Sequence, residues 1–128
     1  MSFYFSKTLP VDFDEACQRT IAALQEQGFG VITDIDIRDT FAKKLGIEFR
    51  NYRILGACNP GLAHEALMIE DKVGTMLPCN VVVQDAGDGM SEVAAIDPVA
   101  SMQAIENPQL NTAAEVVREK LKAVIDSL

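Results

Sequence analysis

Tryptophan is absent from this chain of 128 residues, histidine occurs once, cysteine three times and tyrosine twice. Each scarcity excludes something. The lone His64 leaves no second imidazole for acid–base or metal schemes that rely on two. The thiols of Cys17, Cys58 and Cys79 are too few for a disulfide scaffold, and one would be left over if two paired; free thiols in a reducing compartment suit that count. No apolar run approaches the roughly 18 residues that cross a bilayer. The opening MSFYFSKTLPVDFDEA lacks the apolar stretch and small-residue cleavage site of a secretory signal, so a cytoplasmic location is expected. Also missing are a Gly-x-Ser-x-Gly elbow, a Walker or dinucleotide glycine loop and a His-Glu-x-x-His helix; no catalytic motif is recognised. Positive charge is scarce as well. With 11 Lys and Arg against 19 Asp and Glu, the formal charge of −8 repels phosphate backbones and anionic headgroups, which argues against nucleic acid and membrane surfaces as partners.

What is present describes one domain over residues 1–128, built on aliphatic side chains and phenylalanine. Residues 3–9 (FYFSKTL) read as a strand. Asp12 and Glu15 then match a capping box, and Phe13, Cys17, Thr20, Ile21 and Leu24 form the apolar stripe of a helix that stops at Gly28. Cys17 lies inside that stripe, as a buried structural thiol would. Residues 29–37 alternate as a strand with Val31, Thr33, Ile35 and Ile37 on one face, and Asp34 and Asp36 on the other; those carboxylates are read as solvated charges that can pair with Arg53. A short helix follows over residues 39–45. Residues 51–58 (NYRILGAC) form the next strand, with Gly56 in its interior where something must pack close to the backbone.

Asn59 and Pro60 then suit the cap and first turn of a helix reaching about residue 70 and burying Leu62, Ala63, Ala66 and Leu67, with His64 beside that stripe. Residues 79–84 and 91–96 read as a hairpin with a longer Gly/Asp-rich loop, and Asn107-Pro108 open a long terminal helix. The expected fold is therefore α+β: a single antiparallel or mixed sheet of about five strands, in β-α-β-β-β-β-α order. Two long helices cover one face, with short helices inserted between strands.

The residues between Leu55 and Pro98 also carry a resemblance. LGACNP at 55–60, LPCNVVV at 77–83, a following D-x-G turn and I-D-P at 96–98 resemble the domain-of-unknown-function 302 family over nearly the whole chain. The resemblance implies a strand–helix–four-strand–helix fold and a dimer. That family has no established activity, so it lends no catalytic role to either cysteine.

Two readings of function remain. In one, the protein is a cytoplasmic homodimeric binding module. The uncovered sheet face is paired with a second copy, at least one of Val81, Val82 and Val83 faces it, and Val81 or Val83 is the place to disturb it. A groove between sheet and helices then holds a small apolar ligand. In the other, Cys58 and Cys79, each flanked by proline and asparagine (Asn59, Asn80), meet at one corner for thiol-redox chemistry, or bind a soft metal with His64 as third ligand. Neither reading identifies a cofactor, and cysteine at a crowded strand end needs no reactivity to explain it.

Overall fold

Five stretches of alternating side chains pair into one sheet in the computed structural model, which describes residues 2–128. The strands are β1 (Tyr4–Leu9), β2 (Gly30–Asp36), β3 (Tyr52–Cys58), β4 (Cys79–Gly87) and β5 (Met90–Ile96), in the spatial order β1-β5-β4-β3-β2 with every neighbour antiparallel. The helices are α1 (Phe13–Glu26), α2 (Ile37–Leu45), α3 (Pro60–Ile69), α4 (Pro98–Ser101) and α5 (Pro108–Ser127), and residues Asp71–Met76 form a 3-10 turn. The α+β architecture expected from the pattern is the one observed.

The two long helices α1 and α5 lie on one face of the sheet. Leu55, Val81, Val83, Val93 and Ala95 project from the strands into Ala16, Cys17 and Leu24 of α1 and Leu121, Val124 and Ile125 of α5. Val81 and Val83 are therefore both sealed in the helix-covered core, and the valine on the open face is Val82. Strand alternation forces that choice, since neighbours at i and i+2 share a face. A smaller apolar cluster of Val73, Met102, Leu110, Ala114 and Ala66 joins α3, the 3-10 turn, α4 and the start of α5 beyond the sheet's end. Side-chain caps set the helix starts: Asp12 Oδ1 accepts from the Glu15 amide at 2.8 Å, and Asn107 Oδ1 accepts from the Gln109 amide at 3.0 Å.

Three local expectations change. Strand β2 is an edge strand, exposed along nearly all its length, and its register skips one residue between Val31 and Thr33. The extra residue, Ile32, swaps the faces downstream. Asp34 thus joins Leu55 on the helix side and receives Arg53 Nε at 3.0 Å, while Ile35 opposes Ile54 on the open face. Asp36 does not pair with arginine; its Oδ1 accepts from the Asp39 amide at 2.9 Å, so it caps α2, which takes in Ile37. Finally, the long loop expected after Gln84 is a tight one. β4 and β5 extend to Gly87 and Met90, and Asp88 and Gly89, at φ 55° and 73°, make the two-residue turn that needs positive φ at both positions.

Candidate functional site

Where β3 ends, Cys58 passes into Asn59, whose Oδ1 accepts from the Leu62 amide at 3.2 Å and so caps α3; Pro60 occupies the first turn. This directs α3 away from the sheet. Its stripe of Leu62, Ala63, Ala66 and Leu67 faces Leu110, Ala113, Ala114 and Val117 of α5 across a gap. The cross-strand pair Ala57 and Cys79 closes the sheet side, and Phe29 with Ile32 lines the β2 side. The gap is a half-open hollow of about 310 Å³. It persists because so many facing positions are alanine; larger side chains there would fill it, as interiors are otherwise close-packed.

The expected burial of the α3 stripe is corrected accordingly. Only Ala66 is buried, Leu62 and Ala63 are half-buried, and Leu67 is 40% exposed, because they form cavity wall where a neighbouring element had been expected. Leu67 and Ile32, the latter 63% exposed, sit at the opening. Among the described residues, no charged side chain lines the cavity.

The two cysteines both border it. Ala57 is the direct partner of Cys79, so Cys58 is one position out of register. Cys79 is buried on the helix side, whereas Cys58 lies half-buried at the strand end as the chain turns into α3; both are free thiols. Burial pushes the Cys79 thiol up to about 11, and the proximity of Cys58 adds to the rise. Cys17 is buried beneath α1 and is also raised by burial, with Arg53 pulling the other way. It is the structural thiol its stripe position suggested.

The remaining candidates lie elsewhere. Asn80 is exposed and opposes Gly56, on the sheet face away from Cys79. His64 borders a separate surface hollow with Glu65, Met68, Gln109 and Thr112. Its step along α3 turns it from the stripe, so the structure does not bring it to Cys58 and Cys79. Among the described residues, no three His, Cys, Asp or Glu side chains lie together as a metal site. No local pattern in the sequence marks Phe29, Ile32 and α5 as walls of this cavity. The signal available was the pairing of alanine-rich stripes, Ala63/Ala66 with Ala113/Ala114.

Fold and cavity together define a class: a single antiparallel sheet with two long helices on one face and an uncharged hollow where a third helix leaves the sheet's end. The family model for Domain of unknown function DUF302 matches residues 5–128, and the chain belongs to that family. It is similar to a crystal structure of an uncharacterized conserved DUF302 protein from Bacillus stearothermophilus, with 26% identity, 98% of each chain covered and a TM-score of 0.90. No curated protein matches the chain.

Proposed function

We propose that the protein is a homodimeric cytoplasmic binding module whose cavity between α3, α5 and the end of the sheet holds a small apolar ligand. The observation that carries this reading is a hollow of about 310 Å³ walled almost wholly by hydrocarbon, at the lower end of the range for small-molecule sites. Left empty, such a space forfeits dispersion contacts along its whole lining, and an apolar guest restores them. Titration with a neutral fluorophore such as aminoanthracene tests it. Saturable binding is expected in the native protein and its loss in Ala113→Phe, which fills the hollow from α5. Native mass spectrometry of protein purified without chelator reports any retained molecule and the dimer together. Absence of probe binding by the folded native protein overturns the reading.

One observation favours a second reading, thiol chemistry: Cys58 and Cys79 border the same cavity in adjacent registers. Against it stands the raised Cys79, a poor thiolate near neutrality. Under the thiol reading, both cysteines cycle to a disulfide in a mild oxidant, and mass spectrometry finds a loss of two hydrogens. Under the binding reading, iodoacetamide labels Cys58 alone, and slowly.

A further inference from the structure

We infer that the hollow selects compact hydrocarbons the size of two fused rings, with no hydrogen-bonding group at the end that enters first, and that the alanines of its two helical walls set that size. The inference rests on the cavity reading above and adds the chemical class of its guest.

Size is the first support. A dry cavity of ~150 Å³ lined by aliphatic side chains takes one benzene ring. The hollow here is about 310 Å³, so a single ring leaves much of the lining without contact, and a fused pair fills it. Fused rings also enter with no internal rotations to lose, whereas an alkyl chain of equal carbon count has to be frozen. The width is fixed by small side chains: Ala63 and Ala66 on α3 face Ala113 and Ala114 on α5. Ala114 is buried in the second apolar cluster, but Ala113 is only half-buried, as a methyl group on an unfilled space would be.

The chemistry of the wall then fixes what the rings bear. Among the described residues the lining holds no charged side chain, no imidazole and no hydroxyl. Its one amide is occupied elsewhere. Asn59 Oδ1 accepts from the Leu62 amide at 3.2 Å, and Nδ2 lies 3.1 Å from the place a Cβ on Gly28 would take, outside the lining. Backbone groups of the wall are committed too. The Ala63 amide donates to Asn59 O at 2.9 Å and the Leu77 amide to Gly74 O at 3.2 Å; Ala66 O accepts from Glu70 and Pro98 O from Met102. Pro78 and Pro98 have no amide hydrogen, and the thiols of Cys58 and Cys79 are weak donors. A hydroxyl or carboxylate carried to the closed end would therefore give up its water with nothing in exchange. A polar group on the trailing end stays in solvent at the mouth between Ile32 and Leu67, so the rule binds only the leading end. Aminoanthracene, with one polar end, obeys it.

The test is displacement of aminoanthracene from the native full chain by a matched set of probes. Dimethylnaphthalene and naphthalenediol, each substituted at opposite ends, share an outline, and neither way of entering keeps a substituent from the closed end. The dimethyl compound is expected to bind at least about 10-fold more tightly. Naphthalene is expected to bind at least about 10-fold more tightly than benzene, and Ala113→Val, which narrows the hollow, to remove most of that preference. Should the variant not fold, the probes on the native chain decide the point. A diol that binds as tightly as the dimethyl compound, benzene that binds as tightly as naphthalene, or a folded Ala113→Val with the native preference overturns the inference and leaves the cavity reading intact. Failure of aminoanthracene itself to bind overturns the cavity reading instead.

Discussion

Burial first of all gives Cys79 its character. The thiol has an ordinary value of 9.0 and is held at about 11 in the folded chain, first because its anion would lose solvation and then because Cys58 lies close. The direction of the stability effect follows. Between those two values the unfolded chain has released the proton while the folded chain keeps it, so the native state binds more protons and its stability falls as pH rises. The stabilisation is complete below about pH 9 and lost by about pH 11, with a magnitude of ~3 kcal/mol. Urea denaturation of the native protein and of Cys79→Ala at intervals across that window should show the native protein losing its margin over the variant; parallel curves would refute the burial argument. A neighbouring position makes a steric prediction. A Cβ on Gly56 would collide with Thr33 Oγ1 and lie 2.7 Å from Pro78 Cγ. Gly56→Ala should therefore cost about 2 kcal/mol or more by overpacking, read as a lowered urea midpoint. The close approach expected from a glycine inside a strand is real, and its partners are the edge strand β2 and the turn into β4.

At the level of elements, caps and stripes were legible because they are local. Asn59-Pro60 and Asn107-Pro108 marked helix starts from composition, and α5 buries Leu110, Ala114, Leu121 and Val124 as its periodicity required. Asn107 holds two amides, Gln109 at 3.0 Å and Leu110 at 3.3 Å, and Leu110 is a fully buried member of the second cluster. Asn107→Ala should cost ~1 kcal/mol of global stability, visible as a lower melting temperature. What escaped the pattern was nonlocal. The bulge at Ile32 arises from pairing with β3, and no residue in β2 announces it; the alternation therefore assigned Ile35 and Asp34 to the wrong faces. The α3 stripe had the composition of a buried face, yet whether a partner helix reaches it depends on the angle at which Asn59 launches the helix. Composition does not encode that angle. The same limit applies to Cys58 and Cys79: matched triplets placed both at strand ends, but the one-residue offset between them emerges only from the register of β3 with β4.

For the molecule as a whole, the uncovered side of the sheet is the face through which the proposed dimer would form. Five strands about 4.8 Å apart and six or so residues long make a face of roughly 24 by 20 Å, a footprint of ~500 Å². A stable pair needs about 800 Å² from each partner, so the strands alone fall short and their flanks must contribute. The flanks are suited to it. Tyr4, 42% exposed, and Phe3 stack edge to face at one side, and Tyr52 continues through Phe49 to Phe41 at the other. Between them lie Ile35, Ile54, Val82 and Ala94, crossed by a polar line in which Arg50 donates to Gln84 at 2.9 Å and Gln84 to Glu92 at 3.1 Å. Two copies of a chain with formal charge −8 repel each other at long range, so association through such a face must be hydrophobic and should strengthen as salt screens the charge. Light scattering of the native protein should therefore give a dimer whose dissociation constant falls as ionic strength is raised. Val82→Arg should produce a folded monomer, because its side chain leaves the sheet away from α1 and α5. The same change at Val83, fully buried between strands and helices, should abolish folding. A native protein that stays monomeric at high salt, or a Val82→Arg variant that remains dimeric, would remove this face from consideration as the interface.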